Sequence, residues 1–211
     1  EGTVNAIGIG YHQSGGNGQC VKDGALAKRL GPGFAVRGGI AAALMARAGV
    51  TGAKNSLEGE WGFYRQYAGG DYGSEALTAG LGARFEGVNV AIKPYPCCRG
   101  IHPAIDAALA LRAEMNLRAG DIRDIVLAVT DAHMALLCQP LESKKSPRSP
   151  VDAQFSIPWG VASALLGGRA GLDDFSEQAV GNPAVLELTR KMRVEVDNTL
   201  HKPGPEPTRV T

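Results

Sequence analysis

The sequence predicts the α+β fold class, in which a helical segment precedes a module of mixed helices and strands. Glycines cluster between Gly8 and Gly52 and again between Gly59 and Gly87, which suits closely packed helices and tight turns. After Ile92, patterns with helical and strand periods alternate along the chain. We therefore expect part of an all-helical domain at 1–88, an α+β domain at 89–200 and an unstructured tail at 201–211.

Three helices are predicted in the first segment, over residues 3–11, 34–48 and 56–67. The second has Ile40 and Leu44 at helical spacing and stops at Gly49. A few glycine-rich helices leave apolar faces that need cover from a partner chain or from other sequence.

The second segment has alternating elements. Strands are predicted at 88–92, 124–129 and 193–196, and helices at 102–115, 152–166 and 183–192. The polar, basic and proline-bearing run 142–150 predicts a mobile, exposed loop.

Composition excludes several functional classes. A net charge of +1 among 211 residues gives no basic footprint for nucleic acid. No apolar run approaches the length of a membrane span, and the first residues do not resemble a signal peptide, so we expect a cytoplasmic protein. Neither the cysteine spacing nor any motif indicates a metal site or a nucleotide cofactor, and reduced thiols are expected.

The densest group of functional side chains lies between residues 93 and 103. Lys93, Arg99 and His102 share this proline-stiffened stretch with two adjacent thiols, Cys97 and Cys98. Cationic side chains beside the free N–H groups of a helix start favour binding of a carboxylate or phosphate. The expected partner is therefore a small anion.

Motifs along nearly the whole chain resemble those of the MmgE/PrpD superfamily, whose members include 2-methylcitrate dehydratase, cis-aconitate decarboxylase and iminodisuccinate epimerase. They occupy residues 13–15, 23–29, 33–35, 48–52, 57–59, 93–106 and 152–158. The resemblance implies a helical domain, an α+β lid, an active site between them, a homodimer and no iron–sulfur cluster or other cofactor. It also implies that this chain is a fragment of such an enzyme.

The resemblance gives the candidate residues their roles. His102 is expected to act as general acid or base, because its reference pKa lies near neutrality. Lys28 and Lys93 are expected to act in catalysis or carboxylate binding, and Arg29 offers a bidentate fork for a carboxylate. For each, the alternative is an ordinary structural or solvated side chain.

Other positions are assigned less specifically. Arg99, Gln13 and His12 are expected to contact substrate, although the register between Gln13 and His12 is open. Decarboxylase-like members carry histidine where Cys98 stands, which disfavours decarboxylation.

Three further side chains are expected to have structural roles. Trp159 is expected to line the pocket. Asp23 and Asp106 are expected to serve in capping or ion pairing rather than in catalysis.

These observations favour a carbon–oxygen lyase that removes a proton next to a carboxylate of a small di- or tricarboxylic acid such as 2-methylcitrate. An epimerase using the same site is the alternative enzyme. A catalytically incomplete fragment or assembly subunit is the alternative from another class.

Overall fold

The chain forms two units, and each consists of two separate stretches of the sequence. The computed structural model describes residues 1–201 and 207–211. One unit comprises Glu1–Asn17 and Arg29–Ala91, and the other comprises Gly18–Lys28 and Ile92–Thr211. The eleven residues from Gly18 to Lys28, here called the strap, therefore belong to the second unit although they lie early in the sequence.

Short and medium helices make up the segment before Ile92. They are α1 (Gly2–His12), α2 (Gln19–Lys22, in the strap), α3 (Ala27–Arg47), α4 (Phe63–Ala68), α5 (Ser74–Thr78) and a 3₁₀ turn at Glu86–Asn89. The helix predicted at 34–48 is thus the C-terminal part of a longer one.

Glycines allow the backbones of the first unit to touch. A Cβ on Gly8 would lie 2.5 Å from the backbone nitrogen of Ala53, and one on Gly52 would lie 2.3 Å from the carbonyl oxygen of Asn5. The Asn5 side chain also accepts a hydrogen bond from the Gly52 N–H at 3.2 Å. Backbone contact therefore replaces side-chain packing at this point.

Two predictions for the first segment are wrong. The strand expected at 88–92 is absent from the described residues, and Val88 and Ile92 are 85% and 92% exposed, because no neighbouring strand offers them a partner. The helix expected from residue 56 begins only at Phe63, after turns in which the Phe63 N–H donates to the Ser56 carbonyl at 2.8 Å.

The second unit contains a small sheet surrounded by helices. Its helices are α6 (His102–Glu114), α7 (Asp131–His133), α8 (Leu141–Lys145), α9 (Pro150–Gln154), α10 (Ile157–Gly167), α11 (Glu177–Val180) and α12 (Pro183–Arg190). A π-helix spans Met134–Cys138, and 3₁₀ turns occur at Arg99–Ile101, Ala119–Asp121, Leu172–Phe175 and Asn198–Leu200. The strands are β1 (Ile125–Val129), β2 (Met192–Val196) and β3 (Arg209–Val210).

The sheet has the order β2-β1-β3, with β1 parallel to β2 and antiparallel to β3. Leu127 pairs with Val210, and Val126 exchanges backbone hydrogen bonds of 2.8 and 3.0 Å with Thr211. The prediction of an unstructured tail at 201–211 is therefore wrong for its last residues, since β1 offers them a free edge. The rest of that prediction, at 202–206, lies outside the described residues.

The core of the second unit lies between α6, α10 and the sheet. Ile105, Leu127 and Trp159 are each 0% exposed. The indole Nε1 of Trp159 donates to the Asp174 carbonyl at 2.9 Å, which satisfies its one donor inside the core. The expectation that Trp159 lines a pocket is wrong, because its whole side chain is used in packing.

The predicted mobile loop at 142–150 is also wrong. Helix α8 occupies its first part, and the Ser149 hydroxyl caps α9 by accepting from the Asp152 N–H at 3.1 Å. The helix predicted at 152–166 is two helices, α9 and α10, broken at Phe155 and Ser156. Ser156 caps α10 through the Trp159 N–H at 3.0 Å, and Pro158 stands in its first turn, as is typical of a helix start.

Among the described helices, none combines the length and the apolar composition that crossing a bilayer requires.

Candidate functional site

Residues 93–102, here called the Lys93 loop, fold back onto the start of α6. The Lys93 ammonium donates to the Cys97 carbonyl at 3.2 Å. The Tyr95 hydroxyl donates to the Asp106 carboxylate at 2.5 Å, and the Tyr95 ring meets His102 edge-on at 5.3 Å between centroids. This bond is structural, but it is neither the cap nor the ion pair expected of Asp106. The loop is thereby fixed from both ends.

His102 lies under this loop and is 8% exposed. Burial lowers its pKa, and the charge of Lys93 lowers it further, while hydrogen bonds to the backbone of Cys97 and Tyr95 and the Asp106 charge oppose the shift. Within the described part of the chain, its Nε2 is buried and has no hydrogen-bond partner. The imidazole is therefore neutral at physiological pH, and Nε2 can take a proton only if substrate binding uncovers it.

The adjacent thiols do not form a nucleophilic site. Cys97 is buried, and desolvation raises its pKa to about 12, so it stays protonated. Cys98 is half-buried, and its backbone N–H donates to the Gln154 carbonyl at 2.9 Å. That bond ties the Lys93 loop to the C-terminal end of α9.

The strap carries Lys28 to the same end of α9. The Ser149 hydroxyl donates to the Gly24 carbonyl at 2.9 Å, and the Lys22 ammonium donates to the Ala135 carbonyl in the π-helix. The Lys28 ammonium lies 5.3 Å from the centroid of the Phe155 ring, which is within cation–π range.

Gly24 explains how the strap fits. Its φ is +64°, and a Cβ there would lie 2.1 Å from the Asp152 carboxylate. Only glycine permits this left-handed conformation and this approach without displacement of α9. Asp23, beside it, follows the last residue of α2 and accepts from the Gln19 amide at 2.9 Å, so the structure gives it a local hydrogen bond.

Gln154 and Phe155 thus contact both segments that bring candidate cations into the second unit. The Lys93 loop reaches Gln154 through Cys98, and the strap reaches Phe155 through Lys28. Arg99 is exposed at the start of its 3₁₀ turn, in the same loop as Lys93. These two segments hold Lys28, Lys93, Arg99 and His102.

Gln13, His12 and Arg29 belong to the first unit. The Gln13 amide donates to the Gly38 carbonyl at 2.9 Å and lines a cavity of about 580 Å³ together with Phe34 and Arg37. His12 is the exposed last residue of α1, and Arg29 is exposed in α3.

Sequence reasoning missed Lys144, which is only 4% exposed. Its ammonium donates to the Phe155 carbonyl at 2.8 Å. Burial lowers its pKa, with Asp152 opposing and Lys22 reinforcing the shift. A weak signal was present, because Leu141 and Lys144 are three residues apart and so share one face of α8.

No group of three or more His, Cys, Asp or Glu side chains suited to a metal ion occurs in the part of the chain that the structure describes. The cationic side chains that the strap and the Lys93 loop carry, Lys28, Lys93 and Arg99, suit an anionic ligand.

Comparison with known families accounts for both units. The family described as MmgE/PrpD C-terminal domain matches residues 95–211, and the one described as MmgE/PrpD N-terminal domain matches residues 1–75. The chain belongs to the MmgE/PrpD family. The sequence resemblance is thereby confirmed, and so is its division into a helical part and an α+β part.

Relatives of this MmgE/PrpD chain include cis-aconitate decarboxylases. The cis-aconitate decarboxylase-like protein oryM of Aspergillus oryzae is 27% identical over 96% of this chain and 44% of its own length. Cis-aconitate decarboxylase of Aspergillus terreus is 29% identical over 89% of this chain and 40% of its own length. That of Homo sapiens is 30% identical over 80% of this chain and 34% of its own length.

The chain therefore spans less than half the length of these relatives. By their names, these cis-aconitate decarboxylases are lyases.

Proposed function

We propose that the protein containing this chain is a lyase for a small di- or tricarboxylic acid, and that dehydration of 2-methylcitrate is the first reaction to test. One observation carries the proposal: two separate segments that bear lysines, the strap and the Lys93 loop, meet on Gln154 and Phe155. A substrate with several carboxylates needs several cations in one place. Membership in a family whose relatives include cis-aconitate decarboxylases supports the same substrate class.

In the proposed reaction, Lys28 and Lys93 hold carboxylates, and Arg99 lies in the same loop as Lys93. His102 removes a proton from the carbon next to a carboxylate, and the electron pair of that C–H bond forms the C=C bond. The hydroxyl on the neighbouring carbon leaves as water, with the proton returned to it by the His102 imidazolium. The lowered pKa of His102 keeps the imidazole neutral and therefore able to accept the proton.

Decarboxylation of cis-aconitate is the second candidate, because the relatives carry that name. It is disfavoured by Cys98, which stands where decarboxylase-like members are expected to carry histidine. In general, a thiol is a weaker acid than an imidazolium and so a poorer proton donor to carbon. Epimerisation would use the same site to remove and return one proton.

The test uses the protein encoded by the complete reading frame that contains this chain. Incubation with 2-methylcitrate should produce the ultraviolet absorbance of a conjugated acid, without release of CO₂. Release of CO₂ from cis-aconitate would favour decarboxylation instead. Incorporation of solvent deuterium without new absorbance would favour epimerisation.

Substitutions then assign the roles. His102→Asn should lower kcat by about 10²–10⁴-fold with little change in KM, which is the range expected for loss of a general base. Lys28→Met and Lys93→Met should mainly raise KM. An unchanged kcat in His102→Asn would remove the imidazole from the mechanism.

Two further expectations belong to this proposal. If the chain is an incomplete piece of the enzyme, it should be inactive alone and active within the complete protein. A homodimer is expected for the complete protein, and sedimentation equilibrium would measure its mass.

A further inference from the structure

The break between α9 and α10 is held by an unusual pair of hydrogen bonds. The Lys144 ammonium donates to the Phe155 carbonyl at 2.8 Å, and the Ser156 hydroxyl donates to the Lys144 carbonyl at 2.6 Å. One residue of α8 therefore donates to and accepts from two successive residues of the break. The break is fixed to α8 and does not rely on its own turn alone.

The Lys144 side chain is buried, which is unusual for a lysine. It is 4% exposed, and the side chain of the neighbouring Lys145 is 15% exposed and forms an ion pair at 3.5 Å with Glu142. A buried ammonium is costly unless it makes polar contacts, and the Phe155 carbonyl is the contact that the structure gives Lys144. Lys145 thus has a carboxylate partner, whereas the Lys144 ammonium is bonded to the backbone carbonyl of the break.

Gln154 and Phe155, at this break, also contact the two segments that bear the candidate site residues. The Gln154 carbonyl accepts from the Cys98 N–H at 2.9 Å, and the Phe155 ring lies under the Lys28 ammonium at 5.3 Å. A shift of this turn would therefore move the Lys93 loop and the strap relative to each other.

We propose that Lys144 is a positioning residue, which fixes the turn at Gln154 and Phe155 and thereby sets Lys28 against the Lys93 loop. Its effect on substrate rests on the proposed function, whereas its effect on the turn does not. Because Lys144 is 4% exposed and its ammonium is bonded to the Phe155 carbonyl, it acts through the turn and not by contact with substrate.

The first experiment measures the turn without any substrate. In a Cys20→Ser background, labelling by a maleimide is followed by mass spectrometry at Cys98 and at Cys138, which is 0% exposed and reports global opening. Lys144→Met should speed labelling of Cys98 about 10-fold and should not speed labelling of Cys138, because loss of the ammonium that lowers the pKa of Cys138 makes that thiol less reactive. The matched control Lys145→Met, with the same replacement on the same helix, should change neither rate.

Two results would overturn the positioning role. One is an unchanged Cys98 rate in Lys144→Met. The other is an equal rise at Cys98 and Cys138, which would mean general destabilisation.

The second experiment measures coupling to Lys28 with a non-reactive probe, propane-1,2,3-tricarboxylate, by calorimetry on the complete protein. Lys28→Met should weaken probe binding about 10-fold in the wild-type background and less than about 2-fold in the Lys144→Met background. In the second background the turn has already shifted, so Lys28 no longer lies where it can bind the probe. In the Lys145→Met background the loss should remain about 10-fold. Equal losses in all three backgrounds would contradict the proposal.

Phe155→Leu keeps the proposal testable if Lys144→Met does not fold. It removes the ring beneath Lys28 and keeps the carbonyl that Lys144 binds. The effect of Lys28→Met on probe binding should fall below about 2-fold, while Cys98 labelling stays at the wild-type rate. A full Lys28 effect in this variant would overturn the claim that Phe155 seats Lys28.

The two proposals fail in different ways. A wild-type protein that binds no tricarboxylate would contradict the proposed function, and the labelling experiment would still decide the role of Lys144.

Discussion

The two units differ most in how they treat apolar side chains. In the second unit, Ile105, Leu127 and Trp159 are completely buried. In the first unit, Ala42 is buried at 1%, yet Ile40 on the same helix is 58% exposed and Trp61 is 77% exposed. The second unit therefore has a core of its own, whereas the apolar side chains of the first unit need another surface to cover them.

Glycine explains how the first unit keeps its form with so little buried side-chain surface. Gly8 and Gly52 place two backbones in direct contact, which is possible only without Cβ atoms. Such contacts fix local geometry but bury little apolar area. The comparison teaches that close backbone packing and a hydrophobic core are separate sources of order in this chain.

The two tryptophans give the sharpest test of this difference. Trp159→Ala should lower the free energy of unfolding by about 3–5 kcal/mol, because it leaves a large cavity in a packed core. Trp61→Ala should change it by less than about 0.5 kcal/mol, because the side chain is mostly in solvent. Urea unfolding followed by circular dichroism measures both, and equal losses would break the comparison.

A substitution at Gly24 tests whether the second unit holds the strap. Gly24→Ala should lower the free energy of unfolding by about 2–4 kcal/mol. A Cβ there would clash with the Asp152 carboxylate, and alanine would have to adopt a left-handed backbone conformation. Gly69 is the matched control, since its φ is also +64° but nothing lies within 4 Å of a Cβ there. Gly69→Ala should cost about 1–2 kcal/mol, and thermal unfolding would show the difference.

Acidification should destabilise the second unit through His102, with a smaller effect. Its pKa is lower in the folded chain than in the unfolded one, so the unfolded chain binds more protons as pH falls below about 6.5. Stability is therefore fully present above that pH and is lost toward the folded-state pKa. Urea unfolding between pH 7.5 and 5 should show this slope in the wild type and a shallower slope in His102→Asn. Identical slopes would mean that the imidazole is not desolvated.

The smallest expected effect compares two isoleucines. Ile105→Val should lower the free energy of unfolding by about 0.5–1.5 kcal/mol, because Ile105 on α6 is 0% exposed and belongs to the core. Ile40→Val should be neutral within about 0.5 kcal/mol in this chain. If Ile40→Val became costly in the complete protein, the added segments would be shown to cover α3.

Elements with local signals were predicted closely. The strand expected at 124–129 is Ile125–Val129, and the helix expected at 102–115 is His102–Glu114, with Pro103 in its first turn. Both have periodic apolar residues and a clear start. The strand expected at 88–92 has β-branched residues but no partner strand, and β-propensity without pairing does not make a strand.

The candidate site was predicted in part. The concentration of Lys93, Arg99 and His102 in one loop was visible in the sequence, and so was the family resemblance. The burial of His102 and the contact of Lys28 with Phe155 were not visible, because each depends on a residue in another element.

The sequence by itself determined the α+β class, the family and the residue types available for binding an anion, since these follow from local periodicity and motif order. Tertiary structure alone decided which of those residues are enclosed. Lys144 and Lys145 are neighbours with the same chemistry, but Lys144 is 4% exposed and bonded to the Phe155 carbonyl, whereas Lys145 pairs with the exposed Glu142. Burial depends on what packs against a helix face, which no local sequence signal specifies.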